Sequence, residues 1–120
     1  IGLLKLLKVM NKITTIVQAI QCPHCLDVIF SRAHHDYNAC SCRKTAIDGG
    51  RYYVRMSFTG SEPKAFPLYL IGLSEKVIYQ DWNNNVNKLG QIKRSTKLQP
   101  KLYRYTINQN GKFYRYPKKT

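Results

Sequence analysis

Four cysteines, Cys22, Cys25, Cys40 and Cys42, are the residues of this 120-residue chain best suited to chemistry, and all of them fall in one short stretch. They form a close pair in Cys22-Pro23-His24-Cys25, then a gap of fourteen residues, then a second close pair in Cys40-Ser41-Cys42. Structural zinc takes four soft ligands in a tetrahedron at about 2.3 Å, commonly delivered by two short knuckles. Cys-x-x-Cys is the usual knuckle and Cys-x-Cys a tighter second one; the gap lets the chain leave, turn and return. The pattern is read as a structural Zn2+ site with Cys22, Cys25, Cys40 and Cys42 as ligands. Two disulfides would use the same residues in any of three connectivities, but they need an oxidising compartment, and no secretory signal precedes the motif. A redox dithiol at Cys22 and Cys25 is the other alternative, and it leaves the second pair without a role.

Two resemblances bear on these readings. Cys22-Pro23-His24-Cys25 resembles the active-site motif of DsbA-type thiol oxidoreductases, which implies thiol–disulfide exchange with the apolar run Ile13–Ile20 as the preceding strand. A longer line comprises Ala19-Ile20-Gln21-Cys22, Cys25, Asp27-Val28-Ile29, Ser31, His35-Asp36, Cys40, Cys42 and Asp48-Gly49-Gly50. Over about residues 19–55 this resembles an uncharacterised family of short zinc-ribbon proteins of phages and bacteria. That resemblance implies a zinc ribbon and carries no activity with it. The family usually places Gly after each close pair, where this chain has Leu26 and Arg43. Gly there supplies φ > 0 and frees amides toward the sulfurs, so the two departures bear on ribbon geometry without removing a ligand.

The elements that must position the cysteines are short. Ile13–Ile20 is rich in β-branched residues and of strand length, so it is read as a strand feeding the first knuckle, although Ile13, Ile16, Val17 and Ile20 also fit a helical face. Val28-Ile29-Phe30 is a second strand. Asp48-Gly49-Gly50 is a hairpin signal. After it, Tyr52, Val54, Met56 and Phe58 alternate with Tyr53, Arg55 and Ser57, the first set expected to face the core. Gly60–Pro67 reads as a loop separating two parts, a zinc-ribbon part over 1–60 with an N-terminal extension and a basic part over 61–120. Leu68–Leu73 is a buried strand, and Ser74-Glu75 an N-cap with an acidic first turn opening a short helix to about Asp81.

His34, His35 and Asp36 lie between the knuckles. A His could replace a cysteine as ligand, or Asp36 could orient His35 as a general base. Hydrolysis of that kind usually needs a hard cation on several carboxylates, and no second one stands at useful spacing. The pair is read as shaping its loop, and no catalytic residue is assigned.

The charge points to the partner. Twenty Lys and Arg against six Asp and Glu leave a net charge of +14. Such an excess repels itself in isolation and makes sense against a polyanion. It is also uneven: from Lys88 to the end stand ten basic residues and no acidic one. Lys93, Arg94, Lys97, Lys101, Arg104, Arg115, Lys118 and Lys119 are the candidate contacts to nucleic acid or another partner. Asn87–Arg94 with Lys97-Leu98-Gln99-Pro100 resembles DNA-reading modules of phage homing endonucleases, without an HNH motif; a turn at Gly90 between strands is the reading preferred. Near the end, Tyr103-Arg104-Tyr105 and Tyr114-Arg115-Tyr116 flank Asn110-Gly111, a strong hairpin turn. It would set Ile107 opposite Tyr114 and Tyr105 opposite Tyr116. The tyrosines are expected to pack inward, the alternative being a stacking platform for bases.

Ile1–Met10 is too short and too interrupted by Lys5 and Lys8 to span a bilayer, and an amphipathic helix there would pack on the core or lie on a membrane surface. Met10 is read as near the start of the core, with residues 1–9 an appendage. The expected fold is a small α+β domain: an N-terminal zinc ribbon of β-hairpins, one short helix and a C-terminal β-hairpin. The expected function is binding: a basic, zinc-stabilised phage-type accessory protein engaging nucleic acid or a nucleic-acid machine such as polymerase or ribosome. It would work in the cytoplasm, the host's if phage-encoded. A thiol oxidoreductase, or a phage effector inhibiting a host protein, are the alternatives.

Overall fold

The computed structural model describes residues 13–93 and the backbone of 106–107 and 113–114. The expected helix at Ile1–Met10, the contacts Arg94, Lys97, Lys101, Arg104, Arg115, Lys118 and Lys119, and Tyr103, Tyr105 and Tyr116 lie outside the described residues. Within them the strands are β1 (Ile13–Gln21), β2 (Val28–Phe30), β3 (Asn38–Ala39), β4 (Thr45–Ile47), β5 (Met56–Phe58), β6 (Lys64–Ile71), β7 (Gln91–Ile92), β8 (Thr106–Ile107) and β9 (Phe113–Tyr114), with one helix α1 (Glu75–Asn83) between β6 and β7. They form two antiparallel sheets, one of six strands ordered β7-β2-β1-β6-β8-β9 and one of three ordered β3-β4-β5. This is a small, mostly antiparallel arrangement with one short helix. Among the described residues no helix is long and apolar enough to cross a membrane.

β1 decides its own structure by its β-branched residues, whose stiff side chains suit a pleated surface. Its buried set has period two, not the helical spacing. Thr15, Val17 and Ala19 are buried toward one face, where they meet Phe66, Leu68, Leu70, Leu73 and Ile78. Ile16, on the other face, is 48% exposed. The same alternation sends Ile20 and its cross-strand partner Ile29 to that opposite face, where they pack with Cys22, Cys40 and Ile47. The large sheet therefore has a helix-side core on one face and the cysteine region on the other.

α1 starts where the sequence signals it. The Ser74 hydroxyl accepts the Val77 amide at 3.2 Å, and Glu75 complements the positive end of the helix. Ile78 faces the core, while Val86 lies beyond the helix and is half exposed.

Three expectations are corrected. Lys64–Pro67 belongs to β6 and not to a loop. Pro67 lies opposite Gln18, whose amide turns away to the Arg51 carbonyl at 2.8 Å, so no ladder bond toward β1 needs a proline N–H. The strand after Gly50 begins only at Met56, because residues 48–55 make the connection from β4, closed by a bridge between Gly50 and Tyr53. Tyr52 and Phe58, expected inside, are 69% and 42% exposed. Tyr52 donates instead to the Glu75 carboxylate at the start of α1, where Arg51 makes an ion pair at 3.2 Å. At the end of the chain, β8 and β9 pair Ile107 with Phe113 and Thr106 with Tyr114, not Ile107 with Tyr114. Five residues, 108–112, separate the last pair. An odd connection moves the register by one, which exchanges the alternation that the Asn-Gly turn implied.

The passage from β5 to β6 at residues 59–63 is also the passage from the small sheet to the large one. β1 and β2, before it, are hydrogen-bonded to β6 and β7 after it.

Candidate metal centre

Each close pair of cysteines sits on a turn at the end of a strand. After β1 the chain reverses through Pro23–Cys25, the Leu26 amide donating to the Cys22 carbonyl at 2.9 Å and the Cys22 amide to the Asp27 carbonyl at 3.0 Å. Between β3 and β4 the second pair repeats the pattern. The Arg43 amide donates to the Cys40 carbonyl, and the Cys40 amide to the Thr45 carbonyl, both at 3.0 Å. Leu26 and Arg43, standing where glycine was expected, take that conformation all the same, with φ of 65° and 63°. Side chains disfavour it by about 1–2 kcal/mol. One such residue stands behind each close pair, so the two turns share the same backbone conformation.

The turns aim the four sulfurs at one another. Cys22 Sγ is 3.6 Å from Cys42 Sγ, Cys40 Sγ is 3.5 Å from Cys42 Sγ, and all four lie within 4.8 Å of one another. A disulfide needs about 2.05 Å, and none of the four is bridged. Sulfurs about 2.3 Å from a common zinc would stand about 3.8 Å apart along each tetrahedron edge, so the cluster has the size of a metal site. Cys22 and Cys40 are buried, Cys25 is half-buried and Cys42 is exposed at the rim.

The surroundings favour thiolate at one position. Burial pushes the Cys22 thiol up, but the Thr45 hydroxyl and the backbone amides of Cys25 and His24 outweigh it and lower it to about 6. The His24 amide points at this sulfur at 3.4 Å. Thr45 Oγ1 is buried and has no hydrogen-bond partner of ordinary geometry among the described residues, sulfur included. Burial raises Cys25 and Cys40.

Asp27 ties the two turns together. It is 1% exposed, and its Oδ2 accepts the Ser41 amide at 2.7 Å and Gln91 Nε2 at 3.2 Å. One carboxylate thus holds the second knuckle and β7 against the first.

His35 and Asp36 part company. His35 is exposed at φ 62°, its amide donating to the Gly49 carbonyl at 2.7 Å. Gly49 itself is crowded: a Cβ there would lie 2.6 Å from the Tyr53 carbonyl oxygen. His34 Nδ1 is 3.2 Å from the Tyr53 hydroxyl, so the histidines pack on the Asp48–Arg55 connection away from the sulfurs. Asp36 turns inward and accepts Arg32 Nε at 2.6 Å, Arg32 Nη2 at 2.9 Å and Asn38 Nδ2 at 3.1 Å.

Arg32 is the centre of a network that pattern reading missed. Its Nη1 donates to Asp81 of α1 at 2.6 Å, and the three side chains are 3–6% exposed. Burial opposes its charge, but the two carboxylates hold the guanidinium above its ordinary value. Asp81 also accepts the amides of Lys88 and Leu89, fixing the chain after α1. Gly90 follows at φ 94°, where a Cβ would lie 2.8 Å from Asn38 Nδ2. Half of the six acidic residues, Asp27, Asp36 and Asp81, are buried in a chain of net charge +14. The scarcity of acids in so basic a chain was the available signal. Of the predicted contacts only Lys93 is described; it is exposed directly after β7.

Among known families, the model of a domain of unknown function, DUF7695, matches residues 14–58, the span from β1 through β5 with all four cysteines. No curated protein and no solved structure matches the chain.

Proposed function

We propose that the four cysteines hold one structural zinc ion in a ribbon of two knuckles, and that the chain is a binding module for nucleic acid or a nucleic-acid machine such as a polymerase or ribosome. The observation that carries the first part is the set of four sulfurs within 4.8 Å on two matched turns. A site whose four ligands all come from the protein leaves no position for substrate, which favours a structural ion over a catalytic one. The ion would contribute folding energy to the end of the molecule where the cores are smallest, around Ile20, Ile29 and Ile47. Soft thiolates select zinc over hard cations. In this reading residues 1–60 carry the ribbon and residues 61–120 the basic part.

The second part rests on charge. Burying three of the six carboxylates leaves the surface more basic than the net charge of +14 already implies. Such a surface suits the reducing, nucleic-acid-rich cytoplasm, where thiols remain free for metal.

Thiol–disulfide exchange is the second reading, favoured by the Cys22 thiol lowered to about 6. Against it, Cys22-Pro23-His24-Cys25 lies on a turn between two strands and not at a helix N-terminus, and Cys22 is fully buried.

Metal analysis and a salt titration test the proposal together. One zinc per chain is expected, with log affinity for nucleic acid falling linearly with log salt at a slope of several phosphates. Protein without metal would return the cysteines to redox chemistry. Binding indifferent to salt would point to a protein partner, as for an effector.

A further inference from the structure

A groove of about 400 Å3 opens beside the second knuckle, its lining including Tyr37, Ser41, Arg43, Gln91 and Lys93. We propose that it binds single-stranded nucleic acid, a base stacked on Tyr37 and a phosphate held between Arg43 and Lys93. The proposal rests on the nucleic-acid reading above and assigns it a site.

Charge is the first argument. The side chains lining the groove include two cations and no carboxylate. Asp27, behind the lining, is 1% exposed and accepts from the Ser41 amide and the Gln91 side chain. A phosphate entering here meets the two cations, with that carboxylate buried.

The aromatic ring is the second. Tyr37 is 62% exposed, yet its backbone is fixed between two anchored neighbours. Asp36 is held by Arg32, and Asn38 donates to the Phe30 carbonyl at 2.7 Å. Tyr37 also lines a second hollow of about 190 Å3, whose other residues include Asp48, Arg55 and Met56. The exposed ring therefore borders two hollows from a rigid base. An aromatic so placed loses little freedom when a base stacks on it, and stacking tolerates any base. It does require the base to be unpaired, which selects single strands over duplex.

Rigidity of the walls is the third. Arg43 is set by the knuckle turn at φ 63°, and Lys93 follows β7, whose Ile92 pairs with Val28.

The test uses the full zinc-loaded chain and fluorescence anisotropy with labelled single-stranded DNA and single-stranded RNA of one sequence, and with the DNA duplex. Tyr37→Ala should weaken single-strand binding about five- to a hundred-fold, the worth of one stacked base, with an unchanged melting temperature. Tyr37→Trp should restore it. Lys93→Gln should lower the salt slope by about one phosphate. The same substitution at Tyr52, exposed elsewhere, should do nothing. The DNA and RNA arms decide which single strand is preferred. If wild-type protein binds single strands with a steep salt slope and Tyr37→Ala matches it, the groove is refuted while the nucleic-acid reading stands. Preference for duplex over single strands also overturns the groove. If the wild type binds none of the three, both readings fail. An Arg43→Ala protein that loses zinc while Tyr37→Ala binds normally would assign Arg43 to the metal centre and reject the site.

Discussion

Replacing Arg32 by Met keeps an unbranched side chain of roughly similar bulk and removes both the charge and the guanidinium donors. In the wild type one guanidinium serves two buried carboxylates, Asp36 at 2.6 and 2.9 Å and Asp81 at 2.6 Å. The variant would leave both carboxylates facing each other without a cation, in sites where the side chains are 3% and 6% exposed. Breaking a buried pair from one side costs about 3–5 kcal/mol, because the remaining charge stays desolvated. Each carboxylate keeps some donors: the Arg32 amide and Asn38 for Asp36, the Lys88 and Leu89 amides for Asp81. The middle of the range, about 4 kcal/mol, is therefore expected. At about 2.1 cal/mol/K per residue of unfolding entropy, a chain of this length should lose about 12–20 °C in melting temperature. Scanning calorimetry of the zinc-loaded protein at pH 7 measures it. The double variant Arg32→Met with Asp81→Asn removes the facing charge as well, and should cost less than the sum of the single changes by more than about 1 kcal/mol. A loss under about 1 kcal/mol, or simple additivity, would refute the idea that Arg32 is held as a charge shared by the loop after β2 and α1.

Other expectations follow from the knuckles and their supports. Leu26→Gly and Arg43→Gly should each raise stability by up to about 1 kcal/mol in denaturant titration, because they remove the left-handed penalty at φ 65° and 63° and glycine returns part of it as chain entropy. In the metal-free protein acidification should lower stability with a definite sign. The Cys22 thiol is held at about 6 against an ordinary 9.0, so its stabilisation is complete above pH 9, declines below it, and is gone once the pH has fallen through 6. Thr45→Val, which removes the hydroxyl that lowers that thiol, should weaken this pH dependence in the metal-free protein, read by denaturant titration at pH 6 and pH 9. Gly49→Ala should destabilise the chain by more than about 1 kcal/mol in the same titration, since its Cβ would lie 2.6 Å from the Tyr53 carbonyl oxygen.

What the sequence determined by itself is local. The spacing of Cys22, Cys25, Cys40 and Cys42 was enough to expect one shared site, because short knuckles hold their ligands within a few residues of chain. The β-branched run of β1, the apolar triplet of β2 and the Ser74 cap declare themselves for the same reason: each depends on neighbours two to four residues away. The faces of the Tyr52–Phe58 run were not legible, since alternation predicts a side only once a second layer exists to cover it. The C-terminal register was not legible either, because a single residue more or less in the connection reverses the pairing. The tertiary structure alone decided the pairing of β1 with β6 and of β2 with β7, which brings Arg32 to Asp81 across 49 positions and Asp27 to Gln91 across 64. Buried charge pairs have no spacing of their own in a sequence. They become visible only where the fold removes water from both partners at once, and here that removal joins the loop after β2 to α1.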